Sequence, residues 1–422
     1  MASQRMKVLF LTQYYQPEPT PFHADFVRIM RERGYEVTVM TGFPCYPKGR
    51  IYDGYKQKLI ADEYPEPGVH IVRLPLLPDH SKSALRRMAY YVSFMLSAMT
   101  LGNFRFGKSD AVVVYEAAVI TGLAGWVLAR LHGVPLILYT VDLWPQSVTS
   151  TGMIRNKLAL RLVKWISAFT YRRADRCVGI TKGYVSSFVK MGVKPERTDL
   201  VYFWSPESRA VVPPDFDIEA LMPSCGLFRV LYAGNMGPAQ DLSTVISAAA
   251  LLRDKAQDVE FVMAGAGVDY EMLCKIVEEE KLTNVRFIGH LPAQVMPAVF
   301  ARADALLVHL KPDELTRVSI PSKTQSYMQA GKPVLMSVEG EAADFVIENG
   351  FGLAVEPSNP QALAEAVLRL RAMSEQERAQ MGLRGIAAYE SVCSPALMGS
   401  KLCGIVEDAR SSCSAPRKRK ER

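Results

Sequence analysis

Short apolar strands, polar loops and amphipathic helices alternate along the chain, and this rhythm constrains the fold more than any other feature. It begins with the apolar run 7–12 (KVLFLT) and a polar loop. A helix pattern over 24–33, ending at Gly34, and a strand pattern over 36–40 follow. Parallel strands need a helical crossover between them, so this alternation is typical of a doubly wound α/β domain. The first half of the chain is predicted to form one.

The same rhythm restarts in the second half, with strand patterns from 228–232 onward. Between the two halves, residues 205–224 contain four prolines and no periodicity, which is typical of a linker. The sequence therefore predicts a domain at 1–205, a linker at 206–224 and a second doubly wound domain at 225–385. Residues 386–422 are predicted to form a C-terminal helix, for which packing against the first domain is one option, and a basic tail.

Charge and cysteine content exclude several classes of protein. The chain has 50 basic and 43 acidic residues, and its net charge of +7 is too small to indicate a nucleic-acid binder. The seven cysteines form no CxxC pair, which favours a reducing compartment and argues against structural zinc. No signal-peptide pattern opens the chain, and no apolar run reaches the roughly 18 residues of a membrane span. A cytoplasmic protein is predicted, with a peripheral membrane contact left open.

The stretch 319–336 (SIPSKTQSYMQAGKPVLM) carries the best candidate for a phosphate site. A loop with Ser322 and Lys323 opens a predicted helix at 325–330, and a buried strand follows Gly331. Free backbone N–H groups at the start of a helix favour an anion, and Lys323 adds a positive charge. The alternative is an ordinary loop–helix–strand unit with a chance lysine.

Two glycine-rich loops support a nucleotide site in the same half. Residues 234–237 (GNMG) and 265–267 (GAG) each follow a predicted strand, and glycines let the backbone approach a ligand closely. Neither loop is a dinucleotide fingerprint, because Tyr270 stands where GxGxxG requires glycine. An NAD-dependent dehydrogenase is therefore disfavoured.

Three loops of the first half, 14–22, 41–50 and 141–151, follow predicted strands and are expected at one edge of the sheet. Their aromatic and polar side chains suit a sugar-like acceptor. Among these, Tyr46 and Trp144 belong to residue types that more often serve packing, and His23 is expected at the surface. Asp142 is the strongest functional candidate, because a carboxylate at a strand end beside Trp-Pro is held in place.

A basic and apolar pattern suggests a membrane surface. Lys157, Arg161 and Lys164 share one face of a helix predicted at 154–173, beside an apolar stripe of Leu158, Leu162, Ile166 and Phe169. Basic residues also flank the apolar helix within 82–108. Such helices bind anionic lipid, although a solvated charged face over an ordinary core explains the pattern equally well.

Taken together, these motifs resemble a known family. The GNMG loop and IPSKTQSYMQAGKPV are similar to glycosyltransferases of the GT-B fold, family 4. The segments YYQPEPT, TGFPCYPKGRIYDGY, SKSALRRMAYYVSF and DLWPQS resemble its bacterial O-antigen, colanic-acid and capsule subgroup. The similarity extends over roughly residues 6–390. It implies two Rossmann-like domains facing across a cleft, with the acceptor on the first and the nucleotide-sugar on the second.

The resemblance further implies a retaining, metal-independent transfer from a nucleotide-sugar, most often a UDP-sugar and here with an N-acetylated amino sugar as one candidate. No separate cofactor is implied. The acceptor would be a polyprenyl-linked saccharide at the inner membrane. The implied catalytic residues are Asp142 and Lys323. Residues expected to bind the sugar donor are Gly234, Asn235, Met236, Gly237, Gln240, Gly265, Ile288, His290, Lys311, Ser322, Lys323, Thr324, Gln325 and Ser326. Residues expected to bind the acceptor are Tyr15, Glu18, Pro19, Thr20, Tyr46 and Trp144.

The chain departs from the family pattern at three places. Val318 and Ser326 replace two glutamates, of which the second normally binds ribose, so that this contact is lost or passes to Ser326 or Gln325. Pro238 or Gln240 replaces a basic residue of the glycine loop. Two alternatives stay open, and the loss of both glutamates supports the first of them. One is a non-catalytic component of a polysaccharide-assembly complex, and the other is a sugar-nucleotide epimerase.

Overall fold

A computed structural model of the chain describes residues 5–81, 83–150, 156–205 and 211–414. They belong to two compact units. The N-unit comprises Met1–Tyr202 and Pro395–Arg422, and the C-unit comprises Phe203–Ser394. The predictions made for residue 82, for residues 151 and 154–155, for Pro206 and for the basic tail at 417–422 lie outside the described residues.

An eight-stranded sheet forms the centre of the N-unit, in the order β3-β4-β2-β1-β5-β6-β7-β8. Its strands are β1 (Lys7–Leu11), β2 (Glu36–Gly42), β3 (Ala61–Glu66), β4 (Val69–Leu74), β5 (Ala111–Glu116), β6 (Leu136–Thr140), β7 (Arg176–Gly179) and β8 (Thr198–Leu200). Its helices are α1 (Pro21–Glu32), α2 (Ala84–Thr100), α3 (Val119–His132), α4 (Gln146–Ser150), α5 (Lys157–Arg173) and α6 (Lys182–Lys190). The chain winds in opposite directions from β1 and from β5, so their junction is the switch point where such sheets bind ligands.

Strand β3 is absent from the sequence-based prediction. It pairs antiparallel with β4, whereas the other neighbouring strands of this sheet are parallel. Its sequence, ADEYPE, is polar and mostly exposed because the strand lies at the edge of the sheet. An edge strand without apolar alternation gives no sequence signal, and an edge also tolerates its proline.

The C-unit contains a six-stranded parallel sheet in the order β11-β10-β9-β12-β13-β14. Its strands are β9 (Phe228–Ala233), β10 (Val259–Ala264), β11 (Val285–Gly289), β12 (Ala305–His309), β13 (Val334–Ser337) and β14 (Gly352–Ala354). Its helices are α7 (Ile218–Leu221), α8 (Leu242–Leu252), α9 (Tyr270–Glu279), α10 (Met296–Ala301), α11 (Lys323–Gln329), α12 (Glu341–Asn349), α13 (Pro360–Ala372) and α14 (Glu375–Ala388). The switch point lies between β9 and β12.

Two helix boundaries in the C-unit differ from the prediction in a way that matters for the site. Helix α8 begins at Leu242 rather than at 240, because Asp241 has a left-handed backbone with a φ of 46°. Helix α11 begins at Lys323 rather than at 325, so Lys323 and Thr324 belong to its first turn and not to the preceding loop. The short helix α7 lies within the predicted linker.

The strands next to the C-unit switch point are buried on both faces. Every residue of β12 and β13 is buried, because helices cover both sides of a parallel sheet. Continuous apolar runs such as ALLV therefore mark these strands, and the predicted fold class of two doubly wound α/β domains is confirmed.

The last helix, α15 (Pro395–Ser414), packs against α1 in the N-unit. A Cβ atom added to Gly399 would lie 2.5 Å from Ile29 Cγ2, so glycine permits a close approach of the two helices. Tyr35 donates a hydrogen bond to the Glu407 carboxylate on α15. Among the described residues, no helix is both long enough and apolar enough to cross a bilayer.

Candidate functional site

Two glycine loops meet at the carboxyl ends of β9 and β10. The N–H group of Gly234 donates to Ala264 O at 2.9 Å. A Cβ atom on Gly265 would lie 1.9 Å from Gly234 O, and one on Gly267 would lie 2.0 Å from Met236 O. Gly234 and Gly265 also have φ values of 145° and 140°, which disfavour other residues. Glycine is therefore required for the two backbones to pack in contact.

Lys323 reaches this glycine loop from the first turn of α11. Its Nζ lies 3.9 Å from the centroid of the Tyr232 ring. A Cβ atom on Gly234 would lie 2.8 Å from the same nitrogen. The side chain is partly buried, and burial lowers the pKa of Lys323 to about 7. The structure thus brings together the lysine and the glycine loop that the sequence analysis assigned to one site.

The Gln240 side chain occupies part of the expected phosphate cradle. Its Oε1 accepts hydrogen bonds from Gly237 N at 3.1 Å and from Asn235 Nδ2 at 3.0 Å. These N–H groups are the kind that bind a phosphate oxygen. An anionic ligand would have to displace the Gln240 amide oxygen to reach them.

The backbone groups of Met236 and Lys311 form hydrogen bonds that hold the loops of this site together. The Met236 side chain is fully buried in the C-unit core, so only its backbone can face a ligand, and its carbonyl accepts from Asp269 N at 3.0 Å. Lys311 is exposed, and its N–H group donates to Ala239 O at 2.9 Å. The loop after β12 is thereby tied to the loop after β9.

The end of β11 forms another side of the site. Gly265 N donates to Gly289 O at 2.7 Å, which joins the loops after β10 and β11. Ile288 is half-buried and His290 is exposed immediately beyond the strand. Both predicted residues therefore lie at the same sheet edge as the glycine loops.

His309 is a residue of this edge that the sequence analysis missed. It ends the apolar strand β12, and its imidazole is fully buried. Nδ1 lies 2.8 Å from Gln240 O, while Nε2 has no hydrogen-bond partner among the described residues. Burial chiefly lowers the pKa of His309, and Lys323 lowers it further. A polar residue closing an otherwise apolar strand was the available signal.

The polar residues of α11 are less accessible than the sequence suggests. Thr324, Gln325 and Ser326 are buried, and only Ser322 is exposed among the predicted hydroxyl and amide contacts of this segment. Ser326 Oγ lies 3.1 Å from Ser205 Oγ, in the position where the family has a ribose-binding glutamate. The expectation that Ser326 takes over the ribose contact therefore competes with an internal hydrogen bond.

Val318, the first of the two positions where the family has a glutamate, also provides no acid. Val318 lies in a 3-10 turn, Thr316–Val318, and Arg317 pairs with Glu339 at 2.8 Å. Helix α11 is fastened to the end of β9 by Tyr327, whose hydroxyl accepts from Ala233 N at 2.9 Å. The position of Lys323 is thus fixed by its own helix.

In the N-unit, Glu18 joins two of the predicted acceptor loops. Its Oε2 accepts from Tyr15 N at 3.0 Å, and its Oε1 accepts from Cys45 N and Tyr46 N at 2.8 and 2.7 Å. Burial raises the pKa of Glu18, although these N–H groups oppose that shift. The carboxylate organises the loops after β1 and β2, a role that the sequence does not reveal.

The other predicted acceptor residues differ in exposure. The half-buried ring of Tyr46 packs edge-on against His80, with centroids 5.2 Å apart. Pro19 is exposed and Thr20, the N-cap of α1, is partly exposed, whereas Tyr15 is buried. Tyr46, Pro19 and Thr20 therefore remain available to a ligand.

Two aromatic residues near this edge are packed inside the N-unit. Trp144 is 4% exposed and donates from Nε1 to Ala117 O at 3.3 Å, which agrees with the packing alternative. His23 is 3% exposed, with its ring centroid 4.0 Å from that of Tyr115. The expectation of a surface histidine is wrong, because His23 lies on the inward face of α1, and burial lowers its pKa to about 3.

Asp142 and Glu116 form an acidic pair of loop ends. Asp142 follows β6 and is exposed, yet surrounding protein atoms shield its carboxylate and raise its pKa to about 6. Glu116, which the sequence analysis missed, ends β5 and is fully buried. Its Oε2 accepts from Thr140 Oγ1 at 2.7 Å, and burial raises its pKa to about 8. Its carbonyl accepts from the N–H group of Val141 at 3.2 Å, so Glu116 supports the loop that carries Asp142.

The chemistry available at the C-unit edge is that of an anion site. It combines backbone N–H groups, an amine and an imidazole, and among the described residues no carboxylate forms an ion pair with Lys323. The described part of the chain contains no group of three or more His, Cys, Asp or Glu side chains that could hold a metal ion.

Comparison with known proteins assigns both halves. Residues 20–204 match the family model for the glycosyl transferase 4-like domain, and residues 225–386 match glycosyl transferases group 1. WcaI of Escherichia coli K12, named as a colanic acid biosynthesis glycosyl transferase, is 25% identical over 378 residues. These cover 86% of this chain and 91% of WcaI. WbjE of Pseudomonas aeruginosa, named as a glycosyltransferase, is 27% identical over 240 residues, or 56% of this chain and 59% of WbjE.

A solved structure shares the architecture. HepE of Anabaena, crystallised in complex with UDP, has a TM-score of 0.68 at 15% identity, covering 96% of this chain and 100% of that one. At this identity the likeness shows the fold alone. Together with the family models and the relatives, it establishes that the chain belongs to family 4 of the bacterial glycosyltransferases with the GT-B fold.

Proposed function

We propose that this glycosyltransferase transfers a sugar from a UDP-sugar to a lipid-linked saccharide during the synthesis of a bacterial surface polysaccharide. The observation that carries the proposal is the position of Lys323 Nζ against Tyr232 and the glycine loop, where a diphosphate would need a positive charge. The names of WcaI and of the UDP complex of HepE support the polysaccharide and the nucleotide.

In this proposal the C-unit binds the nucleotide-sugar. Lys323 and the N–H groups around Gly234 and Gly237 hold the diphosphate and stabilise it as it leaves, so that no metal ion is required. Ser322 lies exposed beside them, and the nucleobase lies near 288–291. Lys311, exposed on the loop after β12, adds positive charge.

The N-unit binds the acceptor saccharide. Tyr46, Pro19 and Thr20 offer accessible surface, and Asp142 orients the reacting sugars. The acceptor hydroxyl attacks the anomeric carbon from the side of the leaving diphosphate, so the configuration is retained. This mechanism uses no pair of carboxylates acting as nucleophile and acid.

The test combines binding with product analysis. Purified protein is titrated with UDP, GDP and ADP in a thermal-shift assay, since a ligand that binds only the native state raises the melting temperature. The Lys323→Ala variant should lose the response to UDP, whereas Lys275→Ala, an exposed lysine on α9, should keep it. An unchanged response of Lys323→Ala would refute the phosphate assignment. The anomeric configuration of the product, read by NMR, tests retention.

A non-catalytic role is the second candidate, and one observation favours it. Ser326 forms a hydrogen bond with Ser205 where the family has a glutamate, which leaves a ribose without the carboxylate acceptor of the family. In that case UDP-sugars would be neither transferred nor hydrolysed, even by protein that binds UDP. Conversion of a UDP-sugar to its epimer without an acceptor would instead indicate an epimerase.

We further propose that α5 brings the N-unit to an anionic membrane. Three apolar residues of its outer face are exposed, Leu158 by 71%, Leu162 by 57% and Trp165 by 60%. Leu158 and Leu162 belong to the apolar stripe predicted from the sequence, whereas the buried face of α5 consists of Val163, Ser167, Thr170 and Tyr171. The exposed basic residues Lys157, Arg161 and Lys164 lie beside the apolar face.

Within 82–108, α2 and the turn that follows it add Leu85, 85% exposed, and Phe104, 78% exposed. Apolar insertion together with about 1 kcal/mol per basic residue supports reversible binding to anionic lipid. We expect co-sedimentation with phosphatidylglycerol vesicles but not with phosphatidylcholine vesicles. Trp165→Glu should reduce it, and Val189→Glu, at an exposed position of α6, should not. Equal binding by both variants would count against α5.

A further inference from the structure

The amine of Lys323 lies in a setting without a counter-charge. Its Nζ lies 3.9 Å from the centroid of the Tyr232 ring, and among the described residues no ion pair links it to a carboxylate. The acid on the neighbouring segment, Asp241, is already engaged, because its carboxylate accepts hydrogen bonds from three hydroxyl groups, those of Ser243, Thr244 and Ser358. Burial disfavours the charged form of an amine, and in the described part of the chain no neighbouring carboxylate offsets that cost.

A second base faces Lys323 from the neighbouring strand. His309 ends β12 and is fully buried, with Nε2 lacking a hydrogen-bond partner among the described residues. Lys323 lowers the pKa of His309, so a proton on one of them opposes a proton on the other. Asp241 acts in the opposite direction on His309. The Tyr232 hydroxyl, whose pKa is raised by burial, stays neutral and donates to Asn235 O at 2.6 Å.

The remaining hydrogen-bond donors of the loop are satisfied by a neutral group. Gln240 Oε1 accepts from Gly237 N and from Asn235 Nδ2, where a phosphate oxygen would otherwise be bound. The Gln240 backbone is held by His309, so its side chain can leave without disturbing the loop. The site therefore brings together two bases and the neutral Gln240 amide, and among the described residues no carboxylate pairs with Lys323.

We propose that the diphosphate of the nucleotide-sugar supplies the missing charge, and that its binding is coupled to the uptake of a proton by Lys323. This inference rests on the proposed function, because it assumes that the diphosphate binds between Lys323 and the loop 234–237. The incoming anion displaces Gln240 Oε1 and pairs with the ammonium group that forms. The leaving diphosphate is then neutralised by a cation that exists in full only while the nucleotide is bound.

The direction of the pH effect follows from the free protein. Burial lowers the pKa of Lys323 to about 7, and a bound diphosphate raises it again. Affinity for UDP is therefore greatest below pH 7 and falls, by up to about tenfold per pH unit, as the pH rises toward the pKa in the complex. Proton uptake on binding is therefore expected to be larger at pH 8 than at pH 7.

The coupling is measured by calorimetric titration of the full chain with UDP, in buffers that differ in ionisation enthalpy, at pH 7 and pH 8. The dependence of the observed enthalpy on the buffer gives the number of protons exchanged. The Lys323→Arg variant should bind UDP with almost no uptake at pH 8, because a guanidinium group is always charged. It also corrects for any protons carried by UDP itself.

The matched control is Lys332→Arg. Burial lowers the pKa of Lys332 as well, but this residue precedes β13, at the opposite end of that strand from the site, and the uptake should remain. UDP binding by the wild type without proton uptake would overturn the inference and leave the proposed function standing. Equal uptake by Lys323→Arg would overturn it too, and absence of UDP binding by the wild type would overturn both. Should Lys323→Arg fail to fold, Lys323→Gln should bind weakly and without uptake.

Discussion

The carboxyl ends of the parallel strands differ in chemistry between the two units. In the C-unit this edge consists of glycine loops, where backbones touch and the buried or partly buried ionisable groups include the bases Lys323 and His309. In the N-unit it consists of loops fastened by side chains, and the ionisable groups include the acids Glu18, Glu116 and Asp142. The same fold thus provides an edge suited to an anion in one unit and an edge suited to hydroxyl groups in the other.

The comparison can be tested first where backbone contact is closest. Gly265→Ala would place a Cβ atom 1.9 Å from Gly234 O, at a φ of 140° that alanine avoids. Since two backbones would have to separate, we expect a loss of more than about 4 kcal/mol of stability and no binding of UDP. Thermal unfolding measures the first effect, and a thermal shift with UDP measures the second.

Gly226 is a control that separates the effect of backbone strain from the effect of steric overlap. Gly226 also has a positive φ, 71°, but nothing lies within 4 Å of the position of its Cβ atom. Gly226→Ala should therefore cost only about 1 kcal/mol and leave UDP binding intact. Similar losses for both variants would mean that the contact between the loops is unimportant.

The contrast between the units also explains which parts were predictable from sequence. Strands such as β12 are recognisable in the sequence, because a strand buried on both faces must be continuously apolar. Glycine loops are equally visible, since close backbone contact demands glycine at fixed positions. Strand β3 is not, because an exposed edge requires no apolar pattern.

Side-chain roles were harder to predict than positions. The sequence placed Lys323 beside the glycine loop, but it did not reveal that Met236 and Ser326 point into the protein. Glu116 and His309 were missed for the same reason, since both end apolar strands and only strand packing decides whether such a residue is buried. Pairing between distant loops, as with Glu18 and Cys45, leaves no local signal at all.

Glu116 is the fully buried acid of the N-unit, and its protonation can be tested through stability. Burial raises the pKa of Glu116 from its usual range to about 8, so the folded protein binds a proton there that the unfolded chain has lost. The contribution of the protonated Glu116 to stability is then fully present below its pKa in the unfolded chain, about 4.5. This contribution is lost as the pH rises through its pKa in the folded protein, about 8. Glu116→Gln replaces the protonated acid by a neutral amide of the same shape. It should be more stable than the wild type at pH 8, by up to about 4 kcal/mol, and should differ little at pH 5.

Urea unfolding at pH 5, 6, 7 and 8 measures this difference. Glu36→Gln serves as the control, because Glu36 forms an exposed ion pair with Lys7 and should show no such rise toward pH 8. A constant difference between Glu116→Gln and the wild type across this pH range would show that Glu116 is ionised in the folded protein.

The smallest expected effect belongs to Glu18, the charged counterpart of Glu116 in the same unit. Three backbone N–H groups donate to its carboxylate, and Glu18→Ala would leave these buried groups without their acceptor. Hydrogen bonds to a charged group contribute about 1.5–3 kcal/mol each, but the loops can relax toward water, so we expect a loss of about 3 kcal/mol in urea unfolding. Glu18→Gln should cost less, because its amide oxygen still accepts from Cys45 N and Tyr46 N while its NH2 group faces Tyr15 N. If Glu18→Gln proved as unstable as Glu18→Ala, the negative charge of Glu18, rather than the number of its acceptor atoms, would hold the two loops together. Glu18 and Glu116 would then differ only in their protonation.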